Sequence, residues 1–260
     1  MELTGRVAVV TGGARGIGAA LARALAAAGA AHVVVADRDT AGAAEVAAAV
    51  GGTGFGVDVG VEAEVAGLVK AVVEQHGRLD LLCANAGITT GAGLDATDDD
   101  WSRAWSVNVL AHIYAARAAV PVMLEQGGGH LLFTCSAAGL LTAVGDAPYA
   151  VTKHAAVAHA EWLAITYGDR GIGVSALCPQ GVDTAMLQTG LAAGHLGARI
   201  TAASGAVLSA EEVAAAAVEG ISAGRFLILP HPEVAEYERR RATDRERWLS
   251  SMRRIVAGLR

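Results

Sequence analysis

The sequence predicts one α/β domain built on a doubly wound parallel sheet of about seven strands, with helices on both faces. Three observations lead there. Short β-branched runs alternate with longer Ala-rich segments along most of the chain. The strand candidates are continuous apolar runs rather than alternating ones, the pattern of strands covered on both faces. The 260 residues contain no linker rich in Pro, Gly or Ser and no internal repeat, so residues 1–260 read as a single unit. Crossovers between parallel strands are right-handed, and that rule turns the alternation into a Rossmann-type sheet.

In chain order, residues 6–12 (RVAVVTG) read as a buried strand, followed by a helix from about Ile17 to Ala28. Residues 32–37 (HVVVAD) form the next strand and 40–50 its helix. Residues 54–59 lead into a helix over 61–76, and 79–87 (LDLLCANAG) make a fourth strand. A long helix over about 97–126 precedes the strand 130–136, and a helix over 148–169 precedes the strand 173–179. A helix near 209–222 feeds a last strand at 225–230. Two segments break the rhythm. Residues 185–208 have weak periodicity and many small residues, as a mobile flap over a cleft would. Residues 233–260 read as one charged helix with Trp248, Met252, Ile255 and Leu259 on one face, a stripe expected to pack on the body or on a neighbouring subunit.

Hydrophobic residues make up 53% of the chain and the mean hydropathy is +0.41, ample for a core and too apolar for a disordered chain. The net charge of −6, with no basic stripe, argues against nucleic-acid binding. Cys83, Cys135 and Cys178 lie far apart in apolar runs and read as reduced, buried thiols; no CxxC or Cys/His cluster offers a metal site. The opening MELTGRVAVVTGG lacks the pattern of a signal peptide, and no run of 18 apolar residues is free of charges and breakers. The expectation is a cytoplasmic protein with no membrane partner.

The segment TGGARGIG (11–18) follows the first strand directly and opens the first helix. Gly12, Gly16 and Gly18, with Ile17 between the last two, allow a tight turn and bring a pyrophosphate against the backbone and the helix N-terminus. Asp37 ends the second strand 19 residues after Gly18. A carboxylate there accepts hydrogen bonds from both ribose hydroxyls of NAD and repels the 2′-phosphate of NADP. Arg15 and Arg38 pull the other way: either could clasp that phosphate, pair with Asp37 or face solvent, so NADP stays open. Asp58, with Val59 beside it, is placed either to meet the adenine edge or to cap the following helix.

These features stand in order with NAG (85–87), Asn108 within VNV, Ser136, and YAVTK (149–153). With that combination the chain resembles the classical short-chain dehydrogenase/reductases over roughly residues 4–230. The resemblance implies that Asn85, Ala86 and Gly87 hold the end of the fourth strand against the cofactor. It implies a catalytic tetrad of Asn108, Ser136, Tyr149 and Lys153, and a homotetramer or dimer built through the long helices. Pro179, Val182 and Thr184 match the segment that orients the nicotinamide carboxamide. Two positions depart from the family pattern: Gln180 follows Pro179 where Gly is usual, and Ser175 stands where Asn is common. Gln180 is therefore either a pocket residue or a surface-facing amide.

Hydride exchange between an alcohol carbon and nicotinamide requires a proton to move at the oxygen, and a free phenol, with a pKa of about 10, is a poor base at neutral pH. Lys153, four residues after Tyr149 on one helix face, places an ammonium where, together with the positive charge of the oxidised nicotinamide, it would lower the Tyr149 pKa. There it can also hydrogen-bond the nicotinamide ribose, so Tyr149 and Lys153 both count among the cofactor-binding residues. Ser136 would polarise the substrate oxygen, and Asn108 would hold a water linking Lys153 to solvent. The pocket walls are expected from 137–146, Gln180, 185–197 and 88–95, with Ala138, Leu140, Met186 and Leu187 among them, and with Asp146 and Gln188 each offering a hydrogen bond. Few cations lie in those stretches, which points to a neutral, fairly apolar secondary alcohol or its ketone. The leading reading is an NAD-dependent alcohol dehydrogenase. An NADPH-dependent ketone or 3-ketoacyl reductase, and a non-catalytic dinucleotide-sensing or scaffold protein, are the alternatives.

Overall fold

The computed structural model describes residues 1–259, the side chain of Leu259 excepted. The elements run β1 (Val7–Thr11), α1 (Gly16–Ala27), β2 (His32–Asp37), α2 (Thr40–Ala49), β3 (Thr53–Gly56), α3 (Glu62–His76) and β4 (Leu81–Ala84). Next come α4 (Asp98–Trp105), a π-helical turn (Ser106–Leu110), α5 (Ala111–Glu125), β5 (Gly129–Thr134), α6 (Ala138–Leu141), α7 (Ala147–Tyr167) and β6 (Ile172–Leu177). The chain ends with β7 (Gly181–Val182), α8 (Ala185–Ala192), α9 (Leu196–Ala203), β8 (Val207–Leu208), α10 (Ala210–Ser222), β9 (Leu227–Ile228), α11 (Glu233–Thr243) and α12 (Arg245–Leu259).

Seven parallel strands form one sheet in the order β3-β2-β1-β4-β5-β6-β9. Strand order reverses between β1 and β4, and at such a point the loops leaving the two carboxyl ends diverge and open a crevice. The central strands β1 and β4 are buried along their whole length because both faces are covered, whereas the edge strand β3 is only partly buried. One core joins Val9, Leu82, Leu131 and Phe133 to α3, α5 and α7; the other joins Val10, Leu81 and Leu132 to α1 and α10.

The structure differs from the sequence expectation in three places. The helix expected over 97–126 is interrupted by the wide π turn at Ser106–Leu110, a feature common at functional sites. Within Asp98–Glu125 the most apolar stretch reaches a mean hydropathy of 1.4, enough by length and composition alone for a membrane-crossing helix. Half of that stretch is buried in the protein, which accounts for its composition. The expected flap is ordered as the helical pair α8 and α9, closed off by a small sheet in which β7 pairs with β8. The tail is two helices rather than one: Asp244 leaves helical geometry and its Oδ1 accepts the Arg247 N–H, capping α12. The face of α12 carrying Trp248, Met252 and Ile255 borders the main cleft, and Leu259 lies outside the described side chains.

Candidate active site

A cleft of about 2000 Å³ runs along the carboxyl ends of the strands, from Asp37 past Asn85 and Ser136 to the tail helices. At its inner end the glycine turn meets β4. A Cβ on Gly12 (φ +63°) would lie 2.7 Å from the Ala86 Cα, so only glycine fits. Arg15 precedes α1 without a side-chain cap, and the first turn of α1 holds no acid. Its first residues, Gly16 and Ile17, lie on the cleft wall, so the helix start, whose end favours negative charge, faces the cleft. Gly18 does not reach the cleft, contrary to expectation. A Cβ there would sit 2.1 Å from the Gly12 carbonyl oxygen, so this glycine packs the helix beneath the turn.

Asp37 is 9% exposed and its oxygens accept from the Ala14 and Asp39 amides at 3.1 and 3.0 Å, which fixes the carboxylate at the cleft edge. Arg15 turns to Asp39 at 3.8 Å, and Arg38 is exposed without an ion pair among the described residues. Asp58 Oδ1 accepts the Gly60 amide at 2.8 Å, ordering the loop before α3 while Asp58 and Val59 line the cleft. Asn85 donates to the Thr11 and Gly12 carbonyls and accepts from the Thr134 hydroxyl, tying together the ends of β1, β4 and β5. Ala86, Gly87, Pro179, Val182 and Thr184 complete this wall.

Ser136, Tyr149 and Lys153 converge on the middle of the cleft. Ser136 follows β5, and its Oγ accepts the Ala138 amide at 3.1 Å. Lys153 is 2% exposed; its Nζ donates to the Thr134 carbonyl at 2.8 Å and stands 5.6 Å from the centre of the Tyr149 ring. Asn108 stands one layer behind these three. Fully buried in the π turn, it accepts from the Ile88 amide and donates to the Ile88 carbonyl and Thr152 Oγ1, all within 3.0 Å. Its side chain is thus occupied by the protein and lies behind the cleft wall, where it fixes the 88–92 loop against α7.

The electrostatics of the protein alone also differ from expectation. Burial pushes the Tyr149 phenol up to about 12; the Ser136 hydroxyl pulls it back in part, while Asp146, Cys135 and Cys178 push it further. Burial lowers Lys153, with the two thiols opposing. Desolvation therefore favours neutral forms of both groups before any cationic cofactor arrives. One turn beyond Asn108, buried His112 makes no hydrogen bond through either ring nitrogen and is held well below its usual value by burial, then by Lys153 and His159.

Ala138, Gln180, Met186 and Leu187 line the substrate end as expected. Leu140 does not: α6 turns it into the core, 7% exposed, and Leu141 faces the cleft instead. Asp146 offers nothing to a substrate, since its oxygens already accept from Thr90 N, Thr90 Oγ1, Gly91 N and Tyr149 N at 2.7–2.9 Å. Gln188 is likewise turned to Asp183 at 2.7 Å. Gln180 Oε1 is buried without a partner, whereas its backbone N–H donates to His231 Nδ1. His231 in turn donates from Nε2 to the Gly181 and Ala206 carbonyls. Sequence reasoning missed His231 and the cleft-facing Tyr237, and underread Asp146. An Asp two residues before Pro at a helix start is a capping signature that could have revealed the last.

This fold and site define a class: an α/β oxidoreductase that holds a dinucleotide at the strand ends. Comparison with known proteins narrows it. The family model described as short chain dehydrogenase matches residues 6–193. The 1-deoxy-11-beta-hydroxypentalenate dehydrogenase of Streptomyces avermitilis is 36% identical over 90% of this chain and 87% of its own. A short chain aldehyde dehydrogenase of Euphorbia lathyris is 31% identical over 99% of this chain and 88% of its own. Among solved structures, a short chain dehydrogenase/reductase from Burkholderia phymatum in complex with NAD superposes with a TM-score of 0.86 at 32% identity, covering 95% of this chain and 96% of that one. The chain belongs to the short-chain dehydrogenase/reductase family.

Proposed function

We propose that this protein oxidises a neutral, fairly apolar secondary alcohol, or reduces the matching ketone, with NAD as hydride carrier and Tyr149 as general acid/base. The observation that carries the reading is the convergence of Ser136, Tyr149 and Lys153 on a cleft whose inner end is an uncapped helix start beside a glycine cradle. The cradle fits a dinucleotide: Gly12, Gly16 and Ile17 would hold the pyrophosphate, Asp37 the adenosine ribose, and Pro179, Val182 and Thr184 the carboxamide side. Bound there, the nicotinamide supplies the hydride acceptor and a positive charge. Asp37, fixed at the cleft edge by two backbone donors, supports NAD over NADP, as does the NAD bound in the Burkholderia relative.

In the protein's share of the chemistry, Ser136 Oγ donates to the substrate oxygen and steadies the charge that develops on it. Tyr149 takes the hydroxyl proton in oxidation and returns it in reduction. Lys153 stabilises the phenolate electrostatically while its Nζ remains anchored on Thr134. Met186, Leu187 and Leu141 provide apolar walls, and Tyr237, Trp248, Met252 and Ile255 from the tail extend them outward. That depth suits a bulky alcohol better than a small one.

Fluorescence titration with NADH and NADPH, followed by a panel of neutral secondary alcohols of increasing size, tests the reading. Tighter NADH binding and turnover of bulky apolar alcohols are expected. Tighter NADPH binding would overturn the cofactor assignment, and cofactor binding without turnover of any alcohol or ketone would overturn the catalytic one.

A further inference from the structure

We propose that Asp146 is a positioning residue: its buried carboxylate clamps the 90–91 turn to the first turn of α7 and so fixes where Tyr149 stands. The inference rests on the reading of Tyr149 as the acid/base. Asp146 is 6% exposed and its two oxygens are shared between two elements. Oδ1 accepts the Tyr149 N–H at 2.9 Å and the Thr90 hydroxyl at 2.8 Å. Oδ2 accepts the Thr90 and Gly91 amides at 2.8 and 2.7 Å. One of these four bonds caps α7; the other three reach across to a loop more than fifty residues earlier in the chain. A side chain that served only as a cap would need the first alone.

The surroundings make the clamp part of a larger assembly. The Ala147 amide donates to the Ala92 carbonyl at 3.0 Å, beside the carboxylate. At the other end of the same loop, Ile88 is held by Asn108, which also bonds Thr152 of α7. The loop is therefore fastened to α7 on both sides of Tyr149. The flap meets this assembly at two points. His195, which precedes α9, lies against Gly91 so closely that a Cβ there would fall 2.2 Å from the ring. Gly145 backs onto the start of α9, where a Cβ would lie 2.9 Å from the Gly197 nitrogen. The position of the flap, and hence of a substrate beneath it, is thereby transmitted through Gly91 and Asp146 to the turn that carries Tyr149.

The same carboxylate sits close enough to the phenol to oppose its ionisation. The other titratable groups around Tyr149 are Lys153 on its own helix, Cys135 beyond β5 and Cys178 beyond β6, while His195 faces the clamp from the flap. Loss of Asp146 therefore has two separable consequences. Tyr149 moves, which lowers the maximal rate, and it ionises more readily, which moves the pH profile.

Asp146→Ser keeps a hydroxyl able to cap α7 and removes the three bonds to the loop; Thr90→Val removes one of them and leaves the cap in place. For both variants the measurements are kcat, the KM for NAD and for the alcohol, the pH profile of oxidation, and thermal unfolding. Misplacing a catalytic group by about 1 Å costs on the order of a hundredfold in rate, so Asp146→Ser should lower the plateau kcat by about tenfold or more with the KM for NAD unchanged. Its alkaline rise in rate should move to lower pH, and Thr90→Val should give a smaller loss of kcat with the profile in place. Wild-type kcat and pH profile in both variants would overturn the proposal. So would a loss of rate that merely follows the fraction of protein unfolded. Tyr149→Phe run alongside separates the two readings: an active Tyr149→Phe removes the acid/base assignment, whereas an inactive one beside an unaffected Asp146→Ser removes only the clamp.

Discussion

Replacing Lys153 by Met tests the electrostatic heart of the site. The Lys153 ammonium stands 5.6 Å from the centre of the Tyr149 ring, and both groups are buried where desolvation favours their neutral forms. At an effective dielectric of about 20, unit charges about 5–6 Å apart interact by about 3 kcal/mol. That is worth about two pH units in the phenol titration, so at fixed pH the population of phenolate falls on the order of a hundredfold in the variant. Steady-state oxidation of the best alcohol at saturating NAD, followed from pH 6 to 10.5, gives the readout. Wild type should rise with pH and level off. Lys153→Met should start about a hundredfold lower and keep rising about tenfold per pH unit without levelling. Equal rates for the two proteins, or a low rate in Lys153→Met that does not respond to pH, would refute the argument that Lys153 acts by stabilising the phenolate.

Three further outcomes follow from single features. Burial holds the His130 imidazole down to about 4. The unfolded chain therefore takes up a proton, between an ordinary value of about 6.5 and the folded value, that the native state refuses, and stability falls by about 3 kcal/mol as the pH drops through that window. Urea midpoints at pH 7.5 and 4.5 should show this loss, reduced in His130→Leu; an unchanged slope in that variant would contradict it. Thr142 has φ +94°, the only non-glycine residue in the left-handed region among those described. Thr142→Gly relieves strain of about 1–3 kcal/mol against about 1 kcal/mol of added chain entropy, so the unfolding midpoint should rise rather than fall. Trp248→Ala opens the outer cleft wall and should lower kcat/KM for the bulkiest alcohols by about tenfold, an aromatic contact of about 1–2 kcal/mol, while small alcohols are unaffected; equal losses for both would place Trp248 outside the substrate site.

The sheet was legible because a strand buried on both faces leaves an unbroken apolar run, as in residues 7–10 and 131–133, whatever its neighbours do. The Gly12 turn, Asp37, Ser136, Tyr149 and Lys153 were legible for a related reason: each sits at a strand end or helix start whose position the alternation already determines. Long-range pairings were not. Nothing local in VNV says that Asn108 will spend its amide on Ile88 and Thr152, or that the helix will widen there. Leu140 and Leu141 are chemically alike, and only the turn of α6 decides which one enters the core. The tail showed its apolar stripe in sequence, but its break at Asp244 and its place along the cleft depend on how α12 meets α9.

The central claim is that Tyr149 carries the proton in an NAD-dependent alcohol oxidation, and Tyr149→Phe on the best alcohol at about pH 9 measures it most directly. The account predicts that this variant binds NADH as wild type does, since the cradle at Gly12, Gly16 and Asp37 is untouched, and yet loses at least the hundredfold or more that general base catalysis provides, on the order of 10²–10⁴. Turnover at the wild-type rate with intact NADH binding would contradict it.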